Sequence, residues 1–259
     1  MYNTIYQLKD KIYGFLKELG RLGYFIREIL KWFVTSLPDK SILLQQMFKI
    51  GIETLPVLGA VCIFVGTNIA LVGYQIFKEF GGQNMLGLYV GLSCLREMAP
   101  ILVGAIMAAK PGTDITATIA TMRIKEQIDA LEVMAVNPFW FLILPRFIAF
   151  ILMAPFLVIF ADFLSISSGF IVAVFQLGVN PGKFISDAGA YLQVQDFFFS
   201  MTKGVIFAII ACILATYFGY HSAPGSKGVS DAINKAVVTI ASLIVIVNYF
   251  LTEIMYGTQ

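Results

Sequence analysis

The chain has 259 residues, 58% of them hydrophobic and only 13% charged, with a formal net charge of +2. A mean hydropathy of +0.82 lies far beyond the apolar share of soluble domains, and the few cations form no single basic patch, which sets aside water-soluble enzymes and nucleic-acid-binding modules. With about 20 apolar residues needed per helical crossing, the length holds five or six crossings of a membrane.

Residues 1–40 read as an amphipathic helix. Ile5, Leu8, Ile12, Phe15, Leu19, Leu22, Ile26, Ile29 and Phe33 follow one another at spacings of three and four, while Lys9, Lys11, Lys17, Arg21, Arg27 and Lys31 occupy the remaining surface. No uninterrupted apolar core and no small-residue cleavage site follow the basic residues, so the segment is not expected to be a signal peptide. A coiled-coil seam would show the same spacing, but the two phenylalanines and the adjoining crossing favour a helix lying in the cytoplasmic interface, its cations among anionic headgroups. Pro38 and Asp39 then turn the chain.

Five apolar crossings are expected, at about 50–77, 85–109, 147–177, 197–220 and 236–256. In the first, Gly59, Gly66 and Gly73 share one face at seven-residue spacing and point to close helix packing, with Asn68 as interhelical glue. Arg96 and Glu97 fall within the second. Neighbours on a helix project about 100° apart, so this pair cannot simply neutralise itself, and one member is expected to face a cavity or another subunit unless neighbouring helices satisfy both. The third crossing is long enough to need tilt or a bend at Pro155, and its Asp162 has Ser165, Ser167 and Ser168 nearby as expected partners. Cys62, Cys94 and Cys212 sit inside apolar runs without metal-site spacing and read as small core residues.

Lysine and arginine set the expected orientation. Residues 1–51 carry eight, 110–146 four and 221–236 two, whereas the opposite connections hold only Lys78, Lys183 and Lys203. That places the amino terminus in the cytoplasm and the carboxyl terminus outside.

Between the second and third crossings, 113–137 reads as a cytoplasmic helix. Ile124, Ile128, Leu131 and Ala135 form an apolar stripe, Lys125 and Asp129 are spaced to pair, and Glu126, Asp129 and Glu132 form an acidic strip that a basic groove on a partner would read. A lid lying on the headgroups is the alternative. The fold class expected is therefore an all-α integral membrane protein: an amino-terminal interfacial helix, five transmembrane helices and one cytoplasmic helix, in a single domain over 1–259.

No nucleophile, base or metal constellation accompanies these elements. His221 is the only histidine, and PGSKG at 224–228 lacks the spacing of a phosphate loop. If nucleotide energy is used, another chain must bind the nucleotide. A secondary transporter would need an ion site with broken helices or repeats, and a lipid enzyme a reactive cluster, neither of which is visible. An assembly scaffold stays open.

LREMAPIL at 95–102, EQIDALEVMAVNP at 126–138 and LPRF at 144–147 together resemble the MlaE-type permease subunits of ABC transporters that move lipids with MCE-domain partners. The resemblance implies a single permease domain over most of the chain, working in the bacterial inner membrane, with its carboxyl terminus in the periplasm. It also implies that two copies, expected as a homodimer, surround a lipid cavity, and that the cytoplasmic helix couples each copy to an ATPase subunit. The chain itself is then expected to hold no cofactor, with ATP and Mg on the partner ATPase, and to carry phospholipid or a related lipid between the inner membrane and an MCE-domain protein. Arg96 and Glu97 match the charged pair of the cavity region, with Leu92, Leu95 and Ala99 expected along the tail path. Met122, Arg123, Glu126, Gln127, Asp129, Leu131 and Glu132 fall in the coupling segment. The chain departs from the pattern at Lys110 and Pro111, where arginine and a small residue are usual, and at Thr118, where an acid is expected.

Overall fold

Five apolar runs decide the architecture, because a backbone surrounded by hydrocarbon must satisfy its own hydrogen bonds and helix does so within one segment. The computed structural model describes residues 2–35, 38–79 and 81–257, and within them the protein is all-α, with no strand. Helix α1 spans Tyr2–Thr35. Helices α2 (Lys40–Ile50) and α3 (Leu55–Glu79) are joined by a 3-10 turn at Ile52–Thr54 into one crossing. Then follow α4 (Leu86–Ile124), α5 (Gln127–Val133), α6 (Phe139–Phe175), α7 (Pro181–Tyr191), α8 (Val194–Tyr220) and α9 (Ser226–Tyr256). The crossings formed by α2–α3, α4, α6, α8 and α9 are long and apolar enough to span a membrane.

Helix α6 lies along α3 and α8, and α8 in turn packs on α9 and α4, so α6 and α8 are the inner helices. The main core runs between them, from Phe25 and Ile29 at one end through Phe150, Leu157 and Phe207 to Ile244. A smaller core at the other end packs Phe184 of α7 against Leu86, Val90 and Ala173. Cys62, Cys94 and Cys212 are free thiols buried in these cores.

The structure changes three expectations about the elements. First, the second crossing does not end at 109. Helix α4 continues to Ile124, and its last third packs on α8 and α9. The helix expected over 113–137 is therefore two pieces, broken where Lys125 leaves helical geometry and Glu126 takes φ 56, a left-handed conformation rare outside glycine. Second, Ala135 is not on the stripe of α5. It follows the helix with φ 59, and Ala135 N–H bonds to the Glu132 carbonyl while Val136 N–H bonds to that of Leu131. This is a Schellman end with alanine where glycine is usual. Third, the stripe of α1 is not reserved for lipid. Ile29, together with Phe25 outside the stripe, is buried against the bundle, and Phe25 meets Phe139, Tyr217, Tyr220 and His221 at ring-centroid distances of 5.2–6.0 Å. Leu19 and Phe33 are exposed. The side chains of Ile5, Leu8, Lys9, Lys11, Ile12 and Phe15 lie outside the described residues.

The glycine face of the first crossing has its partner. A Cβ on Gly66 would run into the Ser165 carbonyl oxygen of α6, and one on Gly169 would stand 3.2 Å from the Gly66 carbonyl, so α3 and α6 cross here with backbone nearly touching backbone. Gly66→Ala should lower the unfolding temperature of the purified protein, by an overpacking cost of about 1–3 kcal/mol. Gly23→Ala on α1, where nothing lies within 4 Å of the added carbon, should not. Equal melting temperatures for both variants would show that the crossing tolerates separation.

Candidate functional site

Arg96 and Glu97 sit in a π-helical turn of α4, Cys94–Met98. Such turns widen the helix and re-aim its side chains. Pro100, four residues past Arg96, has no N–H to give to the Arg96 carbonyl, and the Lys203 ammonium of α8 takes that carbonyl at 2.7 Å. Lys203 is 0% exposed. It also donates to Glu97 Oε1 at 3.0 Å and Thr252 Oγ1 at 2.8 Å, so all three of its protons have acceptors. Glu97 is completed by α9, whose Asn248 Nδ2 and Thr252 Oγ1 donate to it at 2.7 and 2.9 Å.

Arg96 turns the other way. Its Nε lies 2.8 Å from Asp196 Oδ1, without the alignment of a hydrogen bond, and its guanidinium rests 4.5 Å from the centre of the Tyr256 ring. Asp196 also accepts from the Gln193 N–H at the start of α8, as half of a capping box. Two cations and two carboxylates thus form a closed, charge-balanced cluster where α8 begins and α9 ends. The cluster is not sealed. The side chains of Arg96 and Glu97 keep 32% and 29% of their surface accessible, while Asp196 and Lys203 behind them are buried.

Several sequence expectations meet this geometry differently. Neighbouring helices engage both members of the Arg96–Glu97 pair, Glu97 by hydrogen bonds and Arg96 by charge and ring contact alone. Leu92 is half-buried, but Leu95 and Ala99 are buried in the cores, so neither lines an open path in this chain. Lys203, read from sequence as part of a connection, is the centre of the cluster; a lysine nine residues inside α8 needed an acid from another crossing, and Glu97 was available. Asp162 accepts from Ser200 Oγ of α8 at 3.2 Å rather than from the serines of its own helix. Asn68 is exposed on α3 and has no side-chain hydrogen bond among the described residues.

At the opposite end of the bundle, α5 hangs below the junction of α4 and α6. Ile128 is buried and Met122 and Leu131 are half-buried against the core, which fixes the helix. Asp129 pairs with Arg123, not with Lys125. Glu132 accepts from the Tyr220 hydroxyl at 3.4 Å, and Arg123 lies over the Tyr220 ring. The acidic strip is thus partly engaged inside the chain, leaving Glu126 and Gln127 exposed beside Val133 and Met134. Of the departures noted in sequence, Lys110 donates to the Glu53 carbonyl, Pro111 lies in a second π turn of α4, Ala108–Gly112, and Thr118 lines a small cleft beside Arg146.

The chain is similar to known proteins over most of its length. The family model described as Permease MlaE matches residues 43–254. The chain is 31% identical over 256 residues, 98% of both chains, to the intermembrane phospholipid transport system permease protein MlaE of Haemophilus influenzae. It is 36% identical over 216 residues, 83% of both chains, to a probable ABC transporter permease protein of Rickettsia typhi. With a similar protein of Synechocystis it shares 32% over 213 residues, 82% of this chain and 81% of that one. By the extent of the family match and the identity carried through all five crossings, the chain belongs to the MlaE permease family.

Proposed function

We propose that this protein is the membrane-spanning subunit of an ATP-driven ABC transporter and moves phospholipid, or a related lipid, between the inner membrane and an MCE-domain partner. The observation that carries this reading is the half-open ion cluster of Arg96, Glu97, Asp196 and Lys203 inside an apolar bundle. A charge in hydrocarbon is retained where it faces water, protein or a polar ligand, and only Arg96 and Glu97 reach the open side. A phospholipid phosphate entering there would compete with Asp196 for the Arg96 guanidinium, whose donors suit a tetrahedral oxyanion. Glu97, held by Lys203, Asn248 and Thr252, would keep that phosphate on the Arg96 side by repulsion.

The second copy is part of the proposal. Asn68 and Gln75, exposed on one face of α3 at seven-residue spacing, are costly against lipid and suit a protein neighbour. The same reading places the amino terminus and α5 in the cytoplasm. There α5 would dock on an ATPase that carries the ATP and Mg, with Val133, 88% exposed, and Met134 as the apolar anchor.

The reading is tested by reconstituting the permease with its ATPase and MCE-domain partners and following lipid transfer. Arg96→Ala should reduce transfer at least about tenfold, the loss of a charge-assisted contact of about 1.5–3 kcal/mol. Because Arg96→Ala alone would strand the buried Asp196 carboxylate, abundance is compared in an Asp196→Asn background, where it should stay within about twofold. Transfer and abundance falling together would make Arg96 a structural residue only. Glu97→Ala strands a buried ammonium at about 3–5 kcal/mol and should deplete the folded protein, with part of the loss recovered in the Glu97→Ala, Lys203→Ala double variant. At the other end, Val133→Asp should weaken ATPase co-purification about thirtyfold, the effect of losing an anchor of about 2 kcal/mol, with the permease itself unaffected. An intact complex would exclude this face as the docking surface.

A further inference from the structure

We propose that the cleft between α2, α4 and α6 binds a phosphate-type oxyanion, with Arg146 as its counter-charge. Arg146, in the first turns of α6, is only 9% exposed. Its terminal nitrogen donates to the Leu142 carbonyl at 2.7 Å, but its Nε has no partner, and among the described residues no carboxylate comes within 4 Å of it. A guanidinium held this way retains its full desolvation cost, several kcal/mol, without the attraction that normally offsets it. Arg146 borders a cleft of about 170 Å³ lined also by Gln46 and Lys49 of α2 and by Asp114 and Thr118 of α4. On that measure a single water needs only about 10–15 Å³, so a tetrahedral oxyanion fits.

The charges around the cleft specify the sign of the ligand. Asp114, its one carboxylate, is engaged by Lys49 at 2.9 Å, so two cations face one anion and the charge of Arg146 is left over. Gln46 and Thr118 add neutral donors that a phosphate oxygen can use. A phosphate monoanion or the phosphodiester of an anionic lipid headgroup supplies the missing charge beside the guanidinium. This assignment stands apart from the Arg96 cluster, which lies at the other end of the bundle, and does not depend on what the permease carries.

The test is the melting temperature of the purified full-length permease in detergent, read by intrinsic fluorescence in a buffer free of oxyanions. To it are added, in separate arms, inorganic phosphate, phosphatidylglycerol mixed micelles and phosphatidylcholine mixed micelles. Saturating ligand should raise the wild-type midpoint by about 5 °C. An effect of phosphate alone identifies a soluble anion, and an effect of phosphatidylglycerol beyond phosphatidylcholine identifies the lipid headgroup. Thr118→Glu places a carboxylate in the cleft, and should melt higher than wild type without additives and respond to none. Arg146→Gln should lose the response; if it does not fold, Thr118→Glu carries the test. A wild type indifferent to phosphate and to phosphatidylglycerol overturns the proposal, as does an undiminished response in either variant.

Discussion

Burying one ammonium sets the register of this bundle. Apolar helix contacts are nearly indifferent to a slide of one turn, since leucine against leucine looks much the same on either side, and lipid provides no hydrophobic drive to choose between them. Lys203 does choose. Its three donors need the Arg96 carbonyl and Glu97 of α4 and the Thr252 hydroxyl of α9 at once, and a slide of one turn, about 5.4 Å, would carry the ammonium away from all three. The same face of α8 repeats the device at Asp196 and Ser200, which reach Arg96 and Asp162. Helices α4, α6 and α9 are thereby each indexed against α8 by a polar contact.

What the sequence made legible and what it hid divide along physical lines. The crossings were readable because hydrocarbon thickness demands long apolar runs, and a close helix approach because Gly59, Gly66 and Gly73 recur on one face, the first two meeting α6 and the third α4. The polar partnerships were harder, since they join residues far apart in the chain: Asp162 had three serines on its own helix and is bonded instead to Ser200, thirty-eight residues on. Lys203 was hidden by its place near the start of a crossing, where lysine usually reaches back to water. The break at Glu126 has no glycine or proline to announce it, and Ala135 occupies a left-handed position without the residue that would have marked it. For the site, the charged pair on α4 was visible, but Leu95 and Ala99 were placed by an ideal 3.6-residue period that the π turn at Cys94–Met98 does not keep.

Helix α1 shows how one amphipathic pattern serves two surroundings. Near its end, Phe25 and Ile29 are received by the aromatic residues where α8 stops and α6 starts. Earlier, Tyr13, Leu16 and Leu19 are exposed. Periodicity reports that a face is apolar and says nothing about whether lipid or protein covers it, and Phe25, one position outside the regular stripe, is as deeply buried as Ile29 within it.

The unbroken run of α4 has a mechanical meaning. From Arg96 to Ile124 it is a strut about 40 Å long, with the ion cluster near one end and the short α5 hinged to the other. Tilting as one body, it would carry an angular displacement at the α5 end to the cluster end as a swing. A tilt of about 5° about its middle shifts each end by roughly 2 Å, comparable to the difference between a made and a broken ion pair. The two π turns, at Cys94–Met98 and Ala108–Gly112, locally widen this lever, one beside the cluster and one near its middle.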